Sequence, residues 1–243
     1  MSPLLRGELL KLRTTRTFVT LVGVALALSL LVVTLSTLIS DEFTEESVRE
    51  LFTFDFSSLF ILLLGVVGMA GEWRHRTITS SVLAAPDRLR LLTAKVLSYA
   101  LAGTVLSVIV TVAMMALGTL ILSARDLTTL GIEDLADVLW RNLVVAALLG
   151  AFGVCIGGLV RNQIVAIVGL LVLSFAIEPT LLALANDVGK FGPTTGAPSG
   201  IIGINPANDG EILDTGVALI VMLGWVGVVF TATAALLRRR DLV

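Results

Sequence analysis

A chain of 243 residues with 56% hydrophobic and only 15% charged side chains has too little polar surface for a soluble protein, where roughly 25% are charged. Its mean hydropathy of +0.98 points to an integral membrane protein, and a net charge of −2 argues against nucleic acid as a partner. A lone cysteine, Cys155, excludes an intrachain disulfide, no Cys/His cluster offers a metal site, and the single His75 leaves little scope for acid–base chemistry at neutral pH.

The chain opens with Leu4 to Arg13, LLRGELLKLR, in which Leu5, Leu9 and Leu12 share a helical face and Glu8 lies one turn from Lys11. This predicts a basic amphipathic helix over 3–13 lying in the membrane interface; a merely basic retention tail is the plainer alternative. Six apolar stretches follow, about 17–39, 54–71, 96–124, 142–160, 162–185 and 215–237. Each approaches or exceeds the roughly 20 residues that cross about 30 Å of hydrocarbon. The first is too long for a signal-peptide core, with no small-residue cleavage site before the acidic stretch from Asp41, so it is read as a retained helix. The expected fold is all-α and integral to the membrane, a single domain over 1–243 with six transmembrane helices.

The segments between spans alternate in charge. Thirteen of the 17 basic residues fall on the side of the N-terminus and four on the other, which places both termini in the cytoplasm by the positive-inside rule. An even number of spans agrees. The acidic bias of the opposite loops follows from this topology, or else forms a cation-attracting vestibule.

Two connections are longer than turns. In the second, Glu72 to Lys95, the apolar Ile78, Val82, Leu83, Leu89, Leu91 and Leu92 interleave with basic residues. Pro86-Asp87 is suited to breaking one helix and capping the next. The expectation is helix, break, helix at the cytoplasmic face, with an apolar stripe suited to docking another protein. The fifth connection, 186–214, contains Pro193, Pro198 and Pro206 together with Ile201, Ile202 and Ile204; short re-entrant helices are expected there.

The chemistry available is sparse. No glycine run ends in Gly-Lys-Ser or Gly-Lys-Thr, so ATP would have to be bound by another subunit. An intramembrane protease lacks a histidine at membrane depth, and a zinc enzyme lacks ligands. Glu178 is the one carboxylate deep in an apolar stretch, about 16 residues or roughly 24 Å along its helix. It is either a group lining a substrate path or gate, or a helix end at which Pro179 bends the chain outward. Gly65, Gly68 and Gly71 recur every third residue, and Gly153 and Gly157 form a GxxxG, spacings that let helix backbones approach closely. Cys155 reads as a small packing residue.

Several short motifs together resemble the membrane subunit of type-2 ABC exporters, bacterial permeases whose ATPase is a separate polypeptide. They are Glu8-Leu9-Leu10-Lys11-Leu12, then Gly71-Glu72-Trp73-Arg74-His75-Arg76-Thr77-Ile78 after the second span, then Pro86, Arg88 and Lys95, and Arg239-Arg240-Asp241 at the end. Arg76 stands where many relatives have glycine. The resemblance implies an assembly of two permease chains, identical or different, with two ATPase chains in the bacterial plasma membrane. It implies no cofactor on this chain, with ATP and magnesium on the partner. It also makes the second connection the coupling helix inserted into the ATPase, with Glu72, Arg74, Arg76, Thr77, Leu83, Pro86, Arg88 and Leu89 as candidate coupling residues. Glu72 is then a candidate for transmitting the ATPase's movement, or a helix-end carboxylate paired with Arg74 or Arg76. The expected function is ATP-driven export of a hydrophobic or amphipathic molecule. The alternatives are a non-transport membrane scaffold or sensor subunit, and a secondary transporter.

Overall fold

The computed structural model describes residues 2–75, 77, 87–205 and 210–239. They form helices and, among the described residues, no strand. In chain order these are α1 (Ser2–Thr14), α2 (Arg16–Ile39), α3 (Glu45–Thr53), α4 (Ser57–Arg74), α5 (Arg88–Ala124) and α6 (Ile132–Val160). Then come α7 (Gln163–Val172), a π-helical turn (Leu173–Ile177), α8 (Glu178–Leu184), α9 (Asn186–Gly189), α10 (Gly196–Ile202) and α11 (Thr215–Arg239). Among the described residues six stretches are long and apolar enough to cross a membrane: α2, α3–α4, α5, α6, α7–α8 and α11.

Several boundaries differ from those expected. The acidic stretch after the first span carries a helix, α3. Thr44 and Ser47 cap it reciprocally through side chain and backbone, and Glu45 and Glu46 occupy its first turn, where acidic groups favour a helix start. Asp87 caps α5, its carboxylate accepting from the Leu89 and Arg90 amides at 3.1 and 3.2 Å, so this helix starts eight residues before the apolar run. α6 likewise begins ten residues before its span, because Asp137 and Arg141 lie one turn apart and pair. At 37 residues, α5 is about 55 Å long and exceeds the hydrocarbon thickness.

The centre of the bundle is α4, α5 and α6. Here backbones meet at glycines. A Cβ on Gly153 would lie 2.3 Å from the Leu62 carbonyl oxygen, on Gly65 2.7 Å from that of Gly150, and on Gly157 2.8 Å from that of Val66. Gly103 and Gly150 make the equivalent approach between α5 and α6. Gly68 sits beneath the Tyr99 ring, whereas Gly71 has only the Gln163 Oε1 as near as 4.0 Å. α2 touches this centre through a stripe of Ala25, Ser29, Val33 and Thr37, one residue per turn. α7 buries only Ala166 and Leu170. Both present most of their apolar surface outward, as lipid-facing helices do.

α1 and the end of α11 lie at one end of the bundle. α1 is tied there to α5 through Glu8 and Lys95, and Arg88 at the start of α5 donates to the Leu237 carbonyl of α11.

Candidate functional site

The second connection leaves the bundle from α4 and returns through α5, and its two roots meet. Lys95, about two turns into α5, is 1% exposed at its side chain. Its Nζ donates to Glu8 Oε2 of α1 at 2.7 Å and to Glu72 Oε1 of α4 at 2.7 Å. Lys11 completes the group, donating to Glu8 Oε1 at 2.7 Å and to Glu72 Oε1 at 3.3 Å. Among the described residues, two carboxylates and two ammonium groups therefore meet across three helices. A buried charge is tolerated only when paired and hydrogen bonded, which explains why an apolar helix keeps a lysine here. Burial by itself would raise the Glu8 carboxyl, but Lys95 and Lys11 outweigh it and hold Glu8 below the usual carboxylate value. Burial would lower the Lys11 ammonium, and Glu8 and Glu72 outweigh it, so that Lys11 lies above the usual lysine value.

Of the other candidate coupling residues, Arg74 and Thr77 are exposed and Leu89 is half-buried. Arg88 is turned towards the end of α11. The Thr77 amide donates to the Glu72 carbonyl at 2.9 Å. Arg76, Leu83 and Pro86 lie outside the described residues. Beside the ion group a cavity of about 770 Å³ opens between α1, α2, α4 and α7, with Lys11, Glu72 and Arg74 on its polar side and Phe18, Leu63 and Ile167 on its apolar side. At the same end Arg161 adopts a left-handed backbone, φ 57°. Its guanidinium carbon lies 4.2 Å from the Trp73 ring centroid, and Nη2 donates to the Leu236 carbonyl at 3.4 Å. The turn between α6 and α7 thus clamps α4 and α11 together.

Glu178 is 1% exposed. The helix does not stop at Glu178-Pro179 but runs on to Leu184. The π turn over Leu173–Ile177 is where the helix adjusts to a proline that cannot bond to the Phe175 carbonyl. The carboxylate is wrapped by the segment between α9 and α10. It accepts from the Thr194 amide at 3.0 and 3.1 Å, the Thr194 hydroxyl at 2.7 Å, the Thr195 amide at 2.6 Å and the Gly196 amide at 3.2 Å.

A second polar centre was not legible in the sequence, where Asp55 reads as one more acidic loop residue. It lies between α3 and α4 and accepts from the Ser57 amide at 3.0 Å, the Ser57 and Thr111 hydroxyls, and Asn142 Nδ2 at 3.3 Å. The Phe56 amide beside it donates to Ser29 of α2 at 3.0 Å. Near it, Arg49 of α3 pairs with Asp137 of α6, and Arg141 reaches across to the Ile201 carbonyl at 2.8 Å. Glu8 was legible only as the i,i+3 partner of Lys11, because the Lys95 contact spans 87 positions that no local pattern connects. Among the described residues no group of His, Cys, Asp and Glu side chains is arranged to hold a metal ion. No protein-family model and no curated protein matches the sequence.

Proposed function

We propose that the chain is the membrane-spanning subunit of a bacterial type-2 ABC exporter, acting with a separate ATPase and a second permease chain to move a hydrophobic or amphipathic molecule outward. The observation that carries this reading is the ion group at the root of the second connection. Glu72 before it and Lys95 after it are joined to each other and to Glu8 of α1. A force on the connection therefore acts on three helices at once, as a transporter driven from outside the membrane requires. The chain offers no nucleotide-binding motif of its own. In this reading hydrolysis, ATP and magnesium belong to the partner, and the energy arrives by protein contact.

The finer topology follows from the same reading. α1 lies in the cytoplasmic interface of the plasma membrane, both termini are cytoplasmic, and the second connection, in which 78–86 lie outside the described residues, is the part that couples to the ATPase. The segment carrying α9 and α10 is re-entrant. It is supported by the Trp225 indole, which donates to the Phe191 carbonyl at 2.8 Å ten residues into α11, or about 15 Å from its start. A proton-coupled transporter is less well supported, because the side chains that bind Asp55, those of Ser57, Thr111 and Asn142, include no second carboxylate or histidine.

The test is co-expression with an ATPase encoded beside this chain. The two should co-purify, and vesicles containing both should extrude a lipophilic fluorescent dye only with ATP. Leu83→Asp together with Leu89→Asp should abolish co-purification while the permease still inserts, since anchors at such contacts are worth about 2 kcal/mol or more. Retention of the ATPase and of coupled efflux in the double variant would sink the docking assignment. Co-purification without ATP-dependent efflux would favour a scaffold or sensor.

A further inference from the structure

We propose that Glu178 is a latch. It is a positioning residue that holds 186–203 folded into the wedge between α6, α8 and α11, so that this segment closes the end of the bundle away from the termini until the carboxylate releases it. That the closure is a gate rests on the exporter reading; that Glu178 holds the segment does not.

The geometry is one-sided. Four donors from three consecutive residues, 16 to 18 positions along the chain, converge on one carboxylate, and Glu178 forms no ion pair among the described residues. Its charge is thus held by the segment, and the segment by its charge. The fit is close. A Cβ on Gly192 would lie 2.5 Å from Glu178 Oε2, and one on Gly196 2.1 Å from the Gly189 carbonyl oxygen. The flanks of the segment are tied elsewhere, Phe191 to Trp225 of α11 and Ile201 to Arg141 of α6. Glu178 therefore holds the middle, where Ala197 is fully buried.

Immediately before Glu178 lies the π turn, and the Thr195 hydroxyl donates to the Ser174 carbonyl within it at 3.3 Å. A π turn contains one residue more than an α turn. Its conversion to α geometry would rotate Glu178 by about 100° relative to α7 and withdraw the carboxylate from its donors. A movement of α7 can thus be converted into release of the segment.

The experiment uses thiol labelling of the purified full chain in proteoliposomes. Ala197→Cys in a Cys155→Ala background reports the segment, and the native, buried Cys155 of an otherwise unaltered chain reports the core. Glu178→Gln keeps the shape and removes the charge. It should speed labelling at position 197 at least about tenfold, as loss of charge-assisted bonds predicts, and leave Cys155 protected. Thr194→Val, which removes one donor and spares the carboxylate, should give a smaller rise and serves if Glu178→Gln does not fold. Unchanged labelling at 197 in both variants overturns the latch. Exposure of Cys155 as well overturns it differently, by showing that the carboxylate holds the bundle rather than the segment.

For the gate, the complex with its ATPase is trapped with magnesium, ATP and vanadate, and position 197 should label faster than without nucleotide. Equal rates overturn gating and leave a static cap. If no ATPase associates, the exporter reading and the gate fail together, while the labelling of Glu178→Gln still decides whether the latch exists.

Discussion

Lys95 shows how a single residue can be dictated by partners far along the chain. Its side chain is as buried as a core leucine, and two carboxylates receive its Nζ at 2.7 Å. Lys95→Met removes the cation that Glu8 and Glu72 share. The expected cost is about 3–5 kcal/mol, read as a lower unfolding midpoint in detergent, with Lys95→Arg costing less because it keeps the charge. An unchanged midpoint for Lys95→Met would show that the carboxylates find water instead. The group also sets a pH window. Glu8 lies below its ordinary value of 4.5, so its contribution is full above that value and is lost as pH falls through its lowered value. Lys11 lies above its ordinary value of 10.5, so its contribution is full below that and is lost as pH rises through its raised value. Attachment of α1, followed by a fluorophore at the exposed Leu10, should therefore hold between about 4.5 and 10.5, and should be lost at a higher pH on the acid side in Lys95→Met, where burial of Glu8 is opposed by one cation fewer.

Among the helices, α4 and α6 owe their close approach to glycine. Glycine spacing was visible in the sequence, but three-residue and four-residue repeats looked alike. Only the structure separates Gly65, Gly153 and Gly157, which face a backbone, from Gly71, whose nearest neighbour is the Gln163 side chain at 4.0 Å. Gly153→Ala places a Cβ against the Leu62 carbonyl, which cannot swing aside, and should cost about 1–3 kcal/mol as overpacking does. Gly169→Ala on α7 meets nothing within 4 Å and should leave the thermal midpoint unchanged or slightly raised. Equal effects of the two substitutions would mean that the α4–α6 seam relaxes freely. At this scale α3 was missed because its capping pair, Thr44 and Ser47, sits in a stretch whose acidic residues read as loop. Its amphipathic face, with Val48 and Phe52 fully buried, is only nine residues long.

Across the described residues, α1 and the end of α11 gather at one end of a bundle with six stretches able to span a membrane. Reporter fusions at Val243 and after Glu42 should give opposite signals, with the first cytoplasmic; matching signals would break the six-span topology. The six spans and the expectation for sidedness came from the sequence alone, because crossing hydrocarbon demands long apolar runs and insertion sorts lysine and arginine by side. Both are properties of composition along the chain, and neither needs a neighbour in space. What pairs across the bundle was decided by tertiary structure. Glu8 meets Lys95 over 87 positions, Asp55 meets Asn142 over 87 and Glu178 meets Gly196 over 18. Low-dielectric surroundings make each unpaired charge or amide costly, so a polar group buried between helices must find its complement. Which complement it finds depends on how the helices pack, and hydropathy alone leaves that packing open.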